Sequence, residues 1–187
     1  MNTFLEKWDK ELHAEYYSLE KPITDKKTYD ELIEYVPMEA KAILDIGAGD
    51  GYIVRELAKR SKTMVRGISI CKDDCMAYDL TDMDMHNLLF SDKIFNVVVS
   101  RHTLEHALSP RLVIREAWRV LRDDGLFLIE VPINHEGIEG CNRAHFYCFT
   151  PRQWDSMMIR NGFTLEKTEF SCNSYRLICK KGEMKEI

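Results

Sequence analysis

The stretch "AILDIGAGDG", Ala42 to Gly51, decides how the rest of the chain is read. Its first half is apolar, the pattern of a strand buried on both faces of a parallel sheet. Its second half places three glycines in five residues, with Asp45 before the turn and Asp50 inside it. Glycine removes the side chain that would hold a ligand away from the backbone, and it tolerates left-handed bends. A helix expected over Tyr52 to Arg60 turns Ile53, Leu57 and Ala58 inward, and its first N–H groups are expected to lie unpaired beside the turn. Strand, glycine turn and helix together make a cradle.

Charge restricts what the cradle can hold. A dinucleotide turn of the form GxGxxG sets a pyrophosphate at a helix N-terminus and wants little negative charge nearby. Here Gly47, Gly49 and Gly51 form GxGxG between two carboxylates. Such a site repels a pyrophosphate and suits a cation bearing an ammonium and a sulfonium, which describes S-adenosylmethionine. A nicotinamide-dependent oxidoreductase is further disfavoured because no ribose carboxylate stands about 20 residues downstream.

Outward from the cradle, strands and helices alternate. Met64 to Ile70 reads as a second strand, and a third is poorly defined near Cys75 to Leu80. "FNVVVS", Phe95 to Ser100, is β-branched and uncharged, as a central parallel strand is. A helix over Pro110 to Leu121 takes Ser109 as N-cap, and "RDDG" turns the chain into a strand from Leu126 to Val131. Ile133 to Phe149 shows no periodicity and reads as a long functional loop. Thr150 caps a helix opened by Pro151, Asn161 and Gly162 end it, and strands near Phe163 to Phe170 and Tyr175 to Lys180 pair as an antiparallel hairpin. Ahead of the cradle, helices over Phe4 to Ser18 and Tyr29 to Tyr35 form an N-terminal extension, residues 1–37. Trp8, Tyr16 and Tyr17 are expected to pack that extension on the domain.

The expected fold is therefore α/β and Rossmann-like: a doubly wound, mostly parallel sheet over residues 42–187, with the N-terminal helices and the C-terminal hairpin added. A chain of 187 residues is one domain. Hydrophobic and charged contents of 45% and 30% are those of a soluble protein. No stretch is apolar enough to span a bilayer and no secretory signal is visible, so a cytoplasmic location is expected. A net charge of −5 argues against a partner held through nucleic-acid phosphates. Cys71, Cys75, Cys141, Cys148, Cys172 and Cys179 lack CxxC spacing. Most are expected to be reduced, and a metal site built from Cys71, Cys75, Cys141 and Cys148 with His135 or His145 departs from the usual tetrahedral patterns, so no metal is expected.

With these stretches in hand the chain resembles the class I S-adenosylmethionine-dependent methyltransferases, of the small-molecule type related to those of ubiquinone biosynthesis. "ILDIGAGDG" is similar to the first motif, "DMHNLLFSDKIFNVVVS" to the second, "RHTLEH" to the segment after the fourth strand, and "EAWRVLRDDGLFLIEVP" to the helix, turn and fifth strand. The resemblance implies that Gly47, Ala48, Gly49 and Gly51 line the methionine and ribose portion of the cofactor, and that Asp45 faces its amino group. Asp84 and Met85 are implied at the adenine, with Asp82 or Asp79 as alternatives. Ser100, Arg101 and His102 are implied beneath the cofactor near the transferred methyl.

Two departures stand out. Ser69 occupies the place where the family usually has the acidic residue gripping the ribose, and charge-assisted hydrogen bonds are roughly twice as strong as neutral ones. The segment between the second strand and the acidic turn is also short. Asp73 or Asp74 could reach the ribose. The expected activity is methyl transfer to an oxygen, nitrogen or carbon nucleophile of a small molecule; the alternative is a methyltransferase-like binding module without turnover. Candidate bases are His102, His106, His145 and Tyr147, with His102, His145 and Tyr147 taken as the catalytic set. Arg101 is expected to bind an acidic substrate or to pair with Glu105. The residues do not reveal the oligomeric state.

Overall fold

The computed structural model describes residues 26–60, 63–70, 80–133, 145–171 and 174–184. The elements are α1 (Lys26–Ile33), β1 (Ala42–Ile46), α2 (Tyr52–Ala58), β2 (Met64–Ser69), β3 (Leu80–Asp82), β4 (Phe95–Arg101), a 3-10 turn (Leu104–His106), α3 (Pro110–Val120), β5 (Leu121–Pro132), α4 (Pro151–Arg160), β6 (Phe163–Ser171) and β7 (Ser174–Lys181). The expected helix over Phe4 to Ser18, with Trp8, Tyr16 and Tyr17, lies outside the described residues. So do Cys71, Asp73, Asp74, Cys75, Asp79, His135, Cys141 and Cys172.

Seven strands form one sheet in the order β3-β2-β1-β4-β5-β7-β6. Strands β1 to β5 run parallel to one another, and β7 runs antiparallel between β5 and β6. The chain steps outward from β1 through β2 to β3 and then returns to the other side of β1 as β4. That reversal opens a crevice at the carboxyl ends of β1 and β4, where ligands of such sheets bind.

Both faces of the sheet are covered, which is why its central strands carry no polar alternation. Leu44, Ile46, Val98, Phe127 and Ile129 share one core with Val113, Ile114 and Ala117 of α3 and with Trp154 and Met158 of α4. On the opposite face Ile43, Val97, Val99 and Leu128 share a second core with Leu32 of α1 and with Ile53, Val54 and Leu57 of α2. The doubly wound fold and the antiparallel hairpin are thus as expected.

Three boundaries differ from the sequence reading. The third strand is only Leu80–Asp82, paired at an edge with Ser69 facing Asp82 in register. The fifth begins directly after α3 at Leu121, and the "RDDG" segment is an excursion within it: Phe95 pairs with Leu121 but Val97 with Leu126, and Asp124 adopts φ 64°. Residues 122–125 thus bulge against a single residue of β4. α1 starts three residues earlier than expected, at Lys26.

α4 carries a complete capping box. Thr150 accepts from the Gln153 amide, and the Gln153 side chain accepts from the Thr150 amide. Of the two described cysteines, Cys179 is a free thiol in the core and Cys148 is disulfide-bonded. Burial pushes the Cys179 thiol pKa well up, which leaves it a packing residue.

Candidate active site

The glycine turn leaves β1 in left-handed backbone: φ is 78° at Gly47, 52° at Gly49 and 73° at Gly51. A Cβ on Gly47 would stand 2.2 Å from Thr103 Oγ1, so glycine is required there both by conformation and by the approach of the segment after β4. The amides of Gly47 and Ala48 donate to the Ile68 carbonyl, and that of Gly51 to the Ala48 carbonyl. The Tyr52 amide, expected to lie unpaired, donates to Asp50 Oδ1. The turn therefore offers clearance rather than a nest of donors. An anion would have wanted those donors; a cation does not.

Around the turn lies a cleft lined by Gly47, Gly49, Ile68, Ser69, Ile70, Met83, Met85, His102 and Thr103. The structure thus brings together Gly47, Gly49, Ser69, Met85 and His102 from the sequence expectation. Ala48 instead directs its side chain into the core beside α2, and Gly51 serves as the N-cap of α2.

Asp45 is the electrostatic anomaly of the cleft region. It is 2% exposed, and its Oδ2 has no hydrogen-bond partner among the described residues. Burial, reinforced by the nearby charge of Asp50 and only partly offset by Arg101, pushes its carboxyl pKa up to about 7. Ser100, at the adjoining end of β4, is also buried with its Oγ unpartnered. Orphaned buried polar atoms carry a desolvation penalty, so their presence marks a place where a ligand can supply the missing partner.

Asp84 is already engaged. Its Oδ1 accepts from the His86 amide at 2.8 Å and faces His86 Nδ1 at 2.7 Å. The Ser109 amide donates to His86 Nε2, so the ring proton sits on Nδ1 and points to Asp84. These bonds hold the Asp84 carboxyl below its usual range although burial alone would raise it. The loop carrying Asp84 and Met85 is further tied to α3, through Glu116 Oε2 on the Leu88 amide and Arg119 on the carbonyls of Leu88 and Phe90. Asp82 lies exposed on the edge strand.

His102 takes φ 47°, a left-handed conformation rare for a residue with a side chain, and its amide donates to the Glu130 carbonyl. The ring stands between two buried carboxylates: Nδ1 lies 3.5 Å from Glu105 Oε1, and Nε2 lies 3.5 Å from Glu130 Oε1 and 3.2 Å from Ser174 Oγ. Burial opposes the charged imidazole, but the two carboxylates outweigh it and raise its pKa.

Arg101 pairs with Glu130 at 3.0 Å rather than with Glu105, and its guanidinium lies 3.8 Å from the centre of the Tyr29 ring. Glu130 also holds Arg176, at 3.0 Å and 2.7 Å, and Arg176 reaches Glu169 and Glu31. The Tyr35 hydroxyl donates to Glu169, and the Tyr52 hydroxyl to Asp30. Through these bonds α1 is fastened across β4, β6 and β7 beside the cleft.

Tyr147 donates its hydroxyl to the Leu108 carbonyl at 2.9 Å and stacks on Phe149, which commits its proton to holding the loop. His145 packs against the ring of His106, centroids 4.9 Å apart. Sequence reasoning missed Glu130 and His86. A lone glutamate in "LFLIEVP" was the available signal for the first; the second had none, because its partners come from different segments.

A fold with this strand order, a bare glycine turn and a buried acid beside it defines a class I methyltransferase-like domain. The family model for a methyltransferase domain matches residues 23–168, and the chain belongs to that family, the class I S-adenosylmethionine-dependent methyltransferases. YrhH of Bacillus subtilis, a provisionally named methyltransferase, is 32% identical over 108 residues, 51% of this chain and 60% of its own. The 27-O-demethylrifamycin SV methyltransferase of Amycolatopsis mediterranei is 32% identical over 135 residues, 63% of this chain and 50% of its own. The chain thus spans about half to three fifths of the length of these curated relatives.

Among solved structures, the 1,6-didemethyltoxoflavin-N1-methyltransferase of Burkholderia thailandensis, with 1,6-didemethyltoxoflavin and S-adenosylhomocysteine bound, superposes with TM-score 0.77 at 14% identity, covering 98% of this chain and 92% of that one. The [4+2]-cyclase SpnF superposes with TM-score 0.72 at 16% identity, covering 83% and 80%. At such identities the likeness concerns the fold, and the cyclase shows that one fold carries more than one chemistry. Among the described residues no helix is long and apolar enough to cross a membrane.

Proposed function

We propose that the chain transfers a methyl group from S-adenosylmethionine to an oxygen, nitrogen or carbon nucleophile of a small molecule. The observation that carries this reading is Asp45, a buried carboxylate with an unpartnered oxygen beside a glycine turn whose own amides are largely spent. A ligand ammonium satisfies it; a phosphate does not. The names of the rifamycin and toxoflavin enzymes specify an oxygen and a nitrogen acceptor on small molecules, which supports the acceptor class.

In this reading Asp45 takes the amino group, Gly47 and Gly49 give clearance, and Ala48 and Gly51 shape the turn. Ser69 takes the ribose, Asp84 and Met85 bound the adenine, and Ser100 and Arg101 close the floor. The cofactor, when bound, supplies an already activated methyl, so the protein's work is alignment and exclusion of water. His102 accepts the acceptor's proton, and Glu105 and Glu130 stabilise the imidazolium that results. His145 and Tyr147 belong to the acceptor-side wall. The chain acts as a single unit in the cytoplasm, with residues 1–37 as its helical extension. Ser69, neutral where the family has a carboxylate, favours the second reading, a methyltransferase-like binding module without turnover that serves as a partner surface.

Calorimetry with S-adenosylhomocysteine, followed by transfer of labelled methyl to a panel of small hydroxyl, amine and carbon-acid acceptors, tests both. Binding with transfer is expected. Binding without transfer selects the module, and no binding at millimolar concentration removes the methyltransferase reading. In an active preparation His102→Gln is expected to cut kcat by about 10²-fold or more while sparing cofactor affinity. Because the His102 pKa is raised, the parent rate should climb with pH through a midpoint above about 6.5.

A further inference from the structure

Glu105 is 1% exposed, and neither of its carboxylate oxygens has a hydrogen-bond partner among the described residues. Three imidazoles approach it. His102 Nδ1 is 3.5 Å from Oε1 and His106 Nε2 is 3.9 Å from it. His145 arrives from a distant loop, because the amides of the two residues after it, Phe146 and Tyr147, donate to the Glu105 carbonyl at 2.9 Å and 3.4 Å. One ligand atom each of Glu105, His106 and His145 lies within 4.8 Å of the others.

We propose that Glu105, His106 and His145 form a binding site for a first-row divalent transition metal ion, Zn²⁺ or a close analogue, beside the acceptor side of the cleft. A buried carboxylate whose oxygens lack hydrogen-bond donors at bonding distance suits a cation, and the imidazoles of His106 and His145 next to it are nitrogen ligands suited to such a metal. Metal bonds of about 2.0–2.2 Å hold ligand atoms about 3–4 Å apart, so the trio must close by about 1 Å. Rotation of the half-buried His145 side chain can supply that movement. Two histidines and one carboxylate leave coordination positions open. Given the methyltransferase reading, on which this role rests, an open position takes an oxygen or nitrogen of the acceptor and orients it beside His102.

The test uses full-length, untagged protein stripped with a chelator and then titrated with Co²⁺ by absorbance and with Zn²⁺ by calorimetry. S-adenosylhomocysteine binding is measured on the same samples. One equivalent of metal is expected, with affinity falling at least about 10-fold in Glu105→Gln and in His145→Ala. His145→Ala, at a partly exposed position, covers the case in which the buried glutamine impairs folding, which thermal melts report. Absence of stoichiometric uptake overturns the site, as does uptake that survives His145→Ala with thiolate charge-transfer absorption, which assigns the metal to cysteines. If S-adenosylhomocysteine binds while metal does not, the site alone falls. If metal binds and S-adenosylhomocysteine does not, the site stands and the methyltransferase reading falls.

Discussion

Asp45 on β1 and Glu130 on β5 are carboxylates of nearly equal burial, 2% and 1% exposed, and they sit in opposite electrostatic states. Glu130 is saturated: Arg101 holds one oxygen, Arg176 the other, and His102 Nε2 stands 3.5 Å from the first. Its pKa is held down despite burial, chiefly by His102 and the two guanidiniums. Asp45 keeps an oxygen with no partner and its pKa rises to about 7. A folded chain does not leave a carboxylate in that condition for stability's sake, because burial without a partner costs free energy. The contrast separates a residue that fastens the fold from one whose oxygen the described residues leave unmet.

The largest effect should follow from breaking the saturated member. Glu130→Ala removes the carboxylate that Arg101 and Arg176 share and leaves Arg176, 3% exposed at its side chain, to Glu169 and Glu31 alone. A loss of about 3–5 kcal/mol is expected in chemical denaturation. A loss below about 1 kcal/mol would show that Glu169 and Glu31 hold Arg176 unaided.

Asp45→Asn should have the reverse profile. S-adenosylhomocysteine affinity is expected to fall about 10- to 100-fold, the value of a hydrogen bond to a charged group, while the unliganded protein at pH 8 is no less stable than the parent. Calorimetry and denaturation on the same preparation check both halves.

The two carboxylates also give stability slopes of opposite sign with pH. The Asp45 pKa is raised by folding from 3.8 to about 7, so its favourable contribution is complete below about pH 4 and lost as pH rises through 7. That of Glu130 is lowered from 4.5, so its contribution is complete above that value and lost on further acidification. Denaturation across pH 3 to 8 should show Asp45→Asn flattening the neutral limb alone. Ligand ammonium returns Asp45 to its charged form, so binding near pH 6 should release protons, detectable as a dependence of binding heat on buffer ionisation enthalpy.

The smallest effect serves as the control for position. Thr150→Ala removes the capping box of α4, remote from both carboxylates, and should cost about 1 kcal/mol with cofactor affinity unchanged.

Much of the fold was legible because the signals were local. "AILDI" and "FNVVVS" are runs that only a two-faced sheet can bury, and Ser109-Pro110 and Thr150-Pro151 mark helix starts. The site was legible where one segment builds it, as at Gly47, Gly49 and Met85. It was illegible where partners meet across the fold. Arg101 was expected to bind an acidic substrate or to pair with Glu105, yet it pairs with Glu130, which strand register sets directly beside it. Asp84 was expected to await a ligand, and its bond to His86 depends on how that loop is pinned to α3 and Ser109.

By itself the sequence determined the alternation of strands and helices, the glycine turn and the presence of an acid next to it, because periodicity and backbone freedom act over a few residues. Tertiary structure alone decided which acids are satisfied. Asp45, Glu105 and Glu130 are chemically alike as letters, and their charge states depend on what the folding of remote segments places within a few ångströms of each oxygen.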